Sequence, residues 1–159
     1  MRLPQFFRDP LFHFLLLGVV LFVGNIIVTG WWKVQADRTR NPAIVAFAQR
    51  QVTLTDWIFT FGGATLLVVG AYANVYLHDL PLATPWLLWG QALFIASGLL
   101  WVAILIPVQI RQASLARNFA GGGPIPAEYW RLNRVWLWVG LVATLLPAAN
   151  LYFMVFKPV

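Results

Sequence analysis

The chain has 159 residues, of which 60% are apolar and 10% charged; it carries a formal charge of +6 and contains no cysteine. Soluble domains carry about 25% charged residues, so this composition excludes a water-soluble domain. The missing cysteines exclude disulfides, thiolate metal sites and thiol redox chemistry together. Basic nucleic-acid binding is disfavoured too, because the charges are dispersed over the connections between apolar runs rather than gathered into one patch.

Four apolar runs fill most of the sequence: Leu11–Trp32, Trp57–Leu77, Trp86–Ile110 and Val135–Phe156. Each is long enough, at about 1.5 Å per residue, to cross a hydrocarbon layer of about 30 Å. Prolines introduce them at Asp9-Pro10, Asn41-Pro42, Thr84-Pro85 and Pro124-Ile125-Pro126. Proline suits the first helical position, where its missing N–H would lack a partner anyway. The first run is too long for a signal peptide, and Asn25–Trp32 offers no small-residue cleavage site. The expected fold is therefore all-α: an integral membrane antiparallel four-helix bundle forming one domain over residues 1–159, in contact with lipid.

Eight basic residues (Lys33, Arg38, Arg40, Arg50, Arg111, Arg117, Arg131 and Arg134) fall in the first and third connections and their flanks; three (Arg2, Arg8 and Lys157) fall in the tails. The positive-inside rule then places those connections in the cytoplasm and both termini outside. Trp31, Trp32, Trp57 and Trp130 mark the proposed cytoplasmic boundary, and Trp86 and Trp89 the outer one. Trp101 sits mid-span and calls for a packing explanation. The segment Pro42–Val52 reads as a helix that either lies on the membrane surface or runs on into the second span. A helix that starts near Pro42 and runs on with a bend is favoured, since no breaker separates the two. The third span is expected to continue to Phe119 and stop at Gly121–Gly123, and Pro107 and Pro147 to perturb their helices.

Small or polar residues recur on one face of each span: Gly18, Asn25 and Thr29; Gly63, Gly70 and Asn74; Gly90 and Ser97; Gly140 and Thr144. Such faces allow close backbone approach between membrane helices. The proposed topology also sets His13, Asn74, His78, Gln91 and Asn150 at one depth near the outer face. Polar groups at that depth are costly unless paired, and often mark function. His13 and His78, on different helices, are candidate axial ligands of a haem or part of a copper site. With Met1 and Met154 as the only thioethers, copper has little further ligand supply. At the other mouth, Asp56 is expected to form a structural ion pair with Arg131 or Arg134. Glu128 and Tyr129 read as ordinary first-turn residues of the last helix. No nucleophile–base pair, phosphate-binding loop or metalloprotease spacing is present in the sequence, so no enzyme activity is expected.

The stretches Gly24-Asn25-Ile26-Ile27-Val28-Thr29-Gly30-Trp31-Trp32-Lys33, Thr53-Leu54-Thr55-Asp56-Trp57, Pro85-Trp86-Leu87-Leu88-Trp89-Gly90-Gln91, Ile106-Pro107-Val108-Gln109 and Ala149-Asn150-Leu151-Tyr152 resemble a bacterial family of small integral membrane proteins of unknown function. The resemblance runs from about residue 15 to 158. It implies a loose grouping with copper-resistance and haem-pathway membrane proteins that carry a histidine in the first span. That histidine falls about ten residues before the asparagine matching Asn25, where this chain has Leu15. His13 lies two residues earlier, a rotation of about 200° around a helix, so the departure counts against a haem or copper role. The start Arg8-Asp9-Pro10-Leu11-Phe12-His13 resembles the membrane anchors of bacterial envelope proteins, which implies an inner-membrane address. Two functions follow as expectations. One is a non-catalytic structural or accessory subunit that packs with itself or with other membrane subunits, with no cofactor. The alternative handles haem or copper through His13 and His78. A transporter would need oligomerisation to build a path through so few spans.

Overall fold

A computed structural model describes residues 9–156. Helix α1 spans Pro10–Thr39 and α2 spans Pro42–Thr55; a π-helical turn, Asp56–Thr60, carries α2 straight into α3, Phe61–Leu77. Helix α4, Pro85–Leu100, passes through a second π-helical turn, Trp101–Leu105, into α5, Ile106–Phe119; α6 spans Ala127–Phe156. The described chain is thus four long rods, each apolar and long enough to cross a membrane. The segment after Pro42 runs on into the second span, as the lack of a breaker predicts.

Local chemistry fixes the ends. Asp9 caps α1 by accepting a hydrogen bond from the Leu11 N–H (2.9 Å), and Asn41 caps α2 through the N–H groups of Ala43 and Ile44. Proline follows each of these caps and follows Thr84 before α4. The α1 rod stops where Arg40 turns left-handed (φ 51°), and the third rod stops before Gly122, whose φ of 104° is open to glycine. The second π turn has an evident cause: Pro107 has no N–H to offer the carbonyl four residues back, and the helix widens just ahead of it. It also accounts for Trp101, whose ring stacks on Phe61 and tilts against Trp57.

The rods pack as two pairs. In one, α1 meets α3 where Gly18 faces Gly63, so closely that a Cβ on Gly63 would fall 2.6 Å from the Phe22 nitrogen. In the other, α4 meets α6: Gly90 lies against Asn150, and the Ser97 hydroxyl donates to the Ala143 carbonyl at 2.7 Å. The small-residue stripe therefore does set the backbone separations. The pairs join at the end carrying the basic connections, where α2 packs on α5 and Val45, Ala46, Ala116, Phe119 and Tyr129 form a buried core. Elsewhere the pairs approach less closely: α1 makes little backbone contact with α6, and α3 meets α4 through side chains, the Tyr72 hydroxyl donating to Gln91.

Candidate functional site

Helix α1 carries Asn25, Thr29, Lys33 and Asp37 at a strict spacing of four, which stacks them along one face. That face points inward: Thr29 is buried and Lys33 has no exposed surface at all. The Lys33 ammonium donates to Asp37 (3.0 Å) and to the Tyr129 hydroxyl (2.8 Å), which in turn donates to Gln49 Oε1 (3.2 Å). It also lies over the Tyr129 ring, 5.0 Å from its centroid. One network thus ties α1, α2 and α6 together. Beside it, Gln112 of α5 donates to Asn133 of α6 at 3.5 Å.

About two turns farther along sits Asp56, the first residue of the first π turn. Its Oδ1 accepts from Asn25 Nδ2 (3.0 Å) and from the Thr60 hydroxyl (3.0 Å), and its Oδ2 accepts from Gln109 Nε2 of α5. Asn25 also donates to Thr60 Oγ1 at 2.9 Å. The expected ion pair with Arg131 or Arg134 is replaced by these neutral donors: both arginines are exposed, while Asp56 turns into the bundle. The π turn makes room for it, because the widened backbone brings the residues around Asp56 and Thr60 onto the inner face.

Asp56, Thr60 and Gln109 border a cavity of about 360 Å³ between the two helix pairs. Its walls are otherwise largely apolar, with Phe22, Phe94, Trp101, Leu105 and Trp136 among them; exposed Ile27 of α1 and Leu141 of α6 stand at its rim. Three glycines line it, Gly30, Gly98 and Gly140, and a Cβ on any of them would meet nothing within 4 Å. Missing side chains at these positions create the space. They contrast with Gly18, Gly63 and Gly90, whose missing side chains permit contact.

At the far end the two histidines singled out in the sequence bond within their own helices. His13 Nδ1 lies 2.9 Å from the Asp9 carbonyl and His78 Nδ1 3.0 Å from the Asn74 carbonyl, both four residues back along the chain. Both rings are exposed, so a bis-imidazole haem site would have to use Nε2 of each. Gln91 accepts from the Tyr72 hydroxyl at 3.0 Å and donates to the Leu87 carbonyl at 3.2 Å. Asn150 Oδ1 is buried against Gly90 without a hydrogen-bond partner among the described residues. No group of three or more His, Asp or Glu side chains converges as a metal site among the described residues. Glu128 pairs with Arg111 at the surface (2.9 Å), whereas Tyr129 is fully buried rather than an ordinary first-turn residue.

Four membrane-length helices with paired polar groups inside define a polytopic α-helical integral membrane protein. Within that class the chain belongs to the family described as predicted integral membrane protein (DUF2269), whose profile matches residues 12–158. No curated protein and no solved structure matches it.

Proposed function

We propose that the chain is a non-enzymatic multi-pass protein of the bacterial inner membrane, acting as a structural or accessory subunit that associates with itself or with a larger membrane complex. The observation that supports this reading is how little of each span the fold covers: 11–17% of the most apolar stretch is buried. Most of each helix is therefore left for lipid or for a neighbouring subunit, while the polar groups named above cross-link the helices internally. Close packing between helices, rather than apolar burial, drives such association in lipid. The charge distribution supports an orientation with both termini outside and the connections around Arg40 and Gly122 in the cytoplasm.

Purification in mild detergent, with native mass and an absorption spectrum, tests the reading. The expected result is a colourless homo-oligomer, or a stoichiometric complex with other membrane subunits. A monomer carrying stoichiometric haem or copper, lost on His13→Ala or His78→Ala, would replace it with the cofactor-handling alternative.

A further inference from the structure

The interior cavity and the carboxylate at its wall go beyond a packing role. Asp56 is 7% exposed, and every hydrogen bond it receives comes from a neutral group on α1, α5 or its own turn. The ion pairs among the described residues are Lys33 with Asp37 and Arg111 with Glu128, so neither cation answers Asp56. A carboxylate within a membrane span is costly without a counter-charge and is retained where it has a use. The chamber beside it, at about 360 Å³, falls within the size range of sites for small organic ligands. Phe22, Phe94, Trp101 and Trp136 are among its lining residues, and aromatic rings attract organic cations. Its rim lies between α1 and α6, whose backbones make little contact, so access is from the side of the bundle, where Ile27 and Leu141 are exposed.

We propose that this cavity binds a lipophilic monovalent cation, an amine or quaternary ammonium with a compact apolar or aromatic body, and that Asp56 is its counter-ion. Asn25, Thr60 and Gln109 hold the carboxylate at the cavity wall. Trp101, Trp136, Phe22 and Phe94 surround the apolar body. Gly30, Gly98 and Gly140 provide its volume. Charge selects the ligand at one end of the chamber and shape selects it at the other.

Calorimetric titration of the full-length protein in nonionic detergent with benzyltrimethylammonium tests this. Wild type should bind one equivalent saturably. Asp56→Asn, which keeps the shape and removes the charge, should bind about tenfold more weakly or worse. Gly98→Leu fills the chamber from a position with open space around its Cβ and leaves Asp56 in place, so it should weaken binding at least as much, and it keeps the test decisive if Asp56→Asn fails to fold. Gly62→Leu, another position open around its Cβ but outside the cavity lining, should bind like wild type. Absence of saturable binding to wild type, or unchanged affinity in either folded variant, Asp56→Asn or Gly98→Leu, would overturn the proposal.

Discussion

Lys33 shows how much a single side chain can carry in this fold. Its ammonium has no exposed surface and is satisfied by Asp37, the Tyr129 hydroxyl and the faces of Tyr129 and Trp136. Removing one member of such a pair strands the other in a poorly solvated place. Lys33→Met should therefore lower stability by about 3–5 kcal/mol, and Lys33→Met with Asp37→Leu should recover most of the loss. Thermal unfolding in detergent checks both. If the double variant is no more stable than the single one, the pair is not the source of the effect. Tyr129→Phe deletes a hydroxyl that accepts from Lys33 and donates to Gln49; an expected loss of about 1–3 kcal/mol follows from the groups left unpaired. The sequence hid this network for a specific reason. Lysine at the end of an apolar run is ordinarily a headgroup contact, and only the spacing of four from Asn25 through Asp37 marks it as inward-facing.

The elements divide their glycines between two uses, and sequence alone does not distinguish them. Gly63 and Gly62 are neighbours in α3. A Cβ on Gly63 would strike the α1 backbone, whereas one on Gly62 would meet open space. Gly63→Leu should thus force the first helix pair apart and cost at least about 1–3 kcal/mol, while Gly62→Leu should be near neutral. Thermal melts of the two variants make the comparison, and equal melts would contradict the packing of α1 on α3. The helical rods and their proline starts were legible because length, apolarity and capping act locally. The π turns were not, although Pro107 marks one of them in retrospect. The turn at Asp56 has no proline, and its signal is the polar pair Asp56 and Thr60, four apart and joined by a hydrogen bond. That pair looks in sequence like the polar end of a span, which is why Asp56 was expected to meet arginines at the surface.

For the whole molecule, the helical bundle follows from composition, but the arrangement of rods does not. Nothing in a list of apolar runs says that α1 pairs with α3 and α4 with α6, or that a chamber separates the pairs. Those facts depend on which small residues meet. Orientation is open to direct test, since the chain lacks cysteine and any introduced thiol is unique. Arg117 lies in the last turn of α5 and Ala83 in the short connection before α4, and both are exposed. An impermeant maleimide applied to intact cells should label Ala83→Cys and spare Arg117→Cys. The reverse pattern would invert the topology and move His13 and His78 to the cytoplasmic face.

The helix pairs are fastened most heavily at one end, by the core where α2 packs on α5, and more lightly at the other, by the Tyr72–Gln91 hydrogen bond and the short connection from α3 to α4. A rod of 30 residues such as α1 is about 45 Å long, so a tilt of about 5° at the fastened end moves the other by about 4 Å. The buried core and the Lys33 network resist motion at the joint, whereas at the opposite end His13 and His78 bond within their own helices and Gln91 is tied across to α3 by its bond from Tyr72, so restraint there is lighter. A small change of angle deep in the protein is therefore amplified where it reaches the opposite surface, which is where a neighbouring molecule would feel it most.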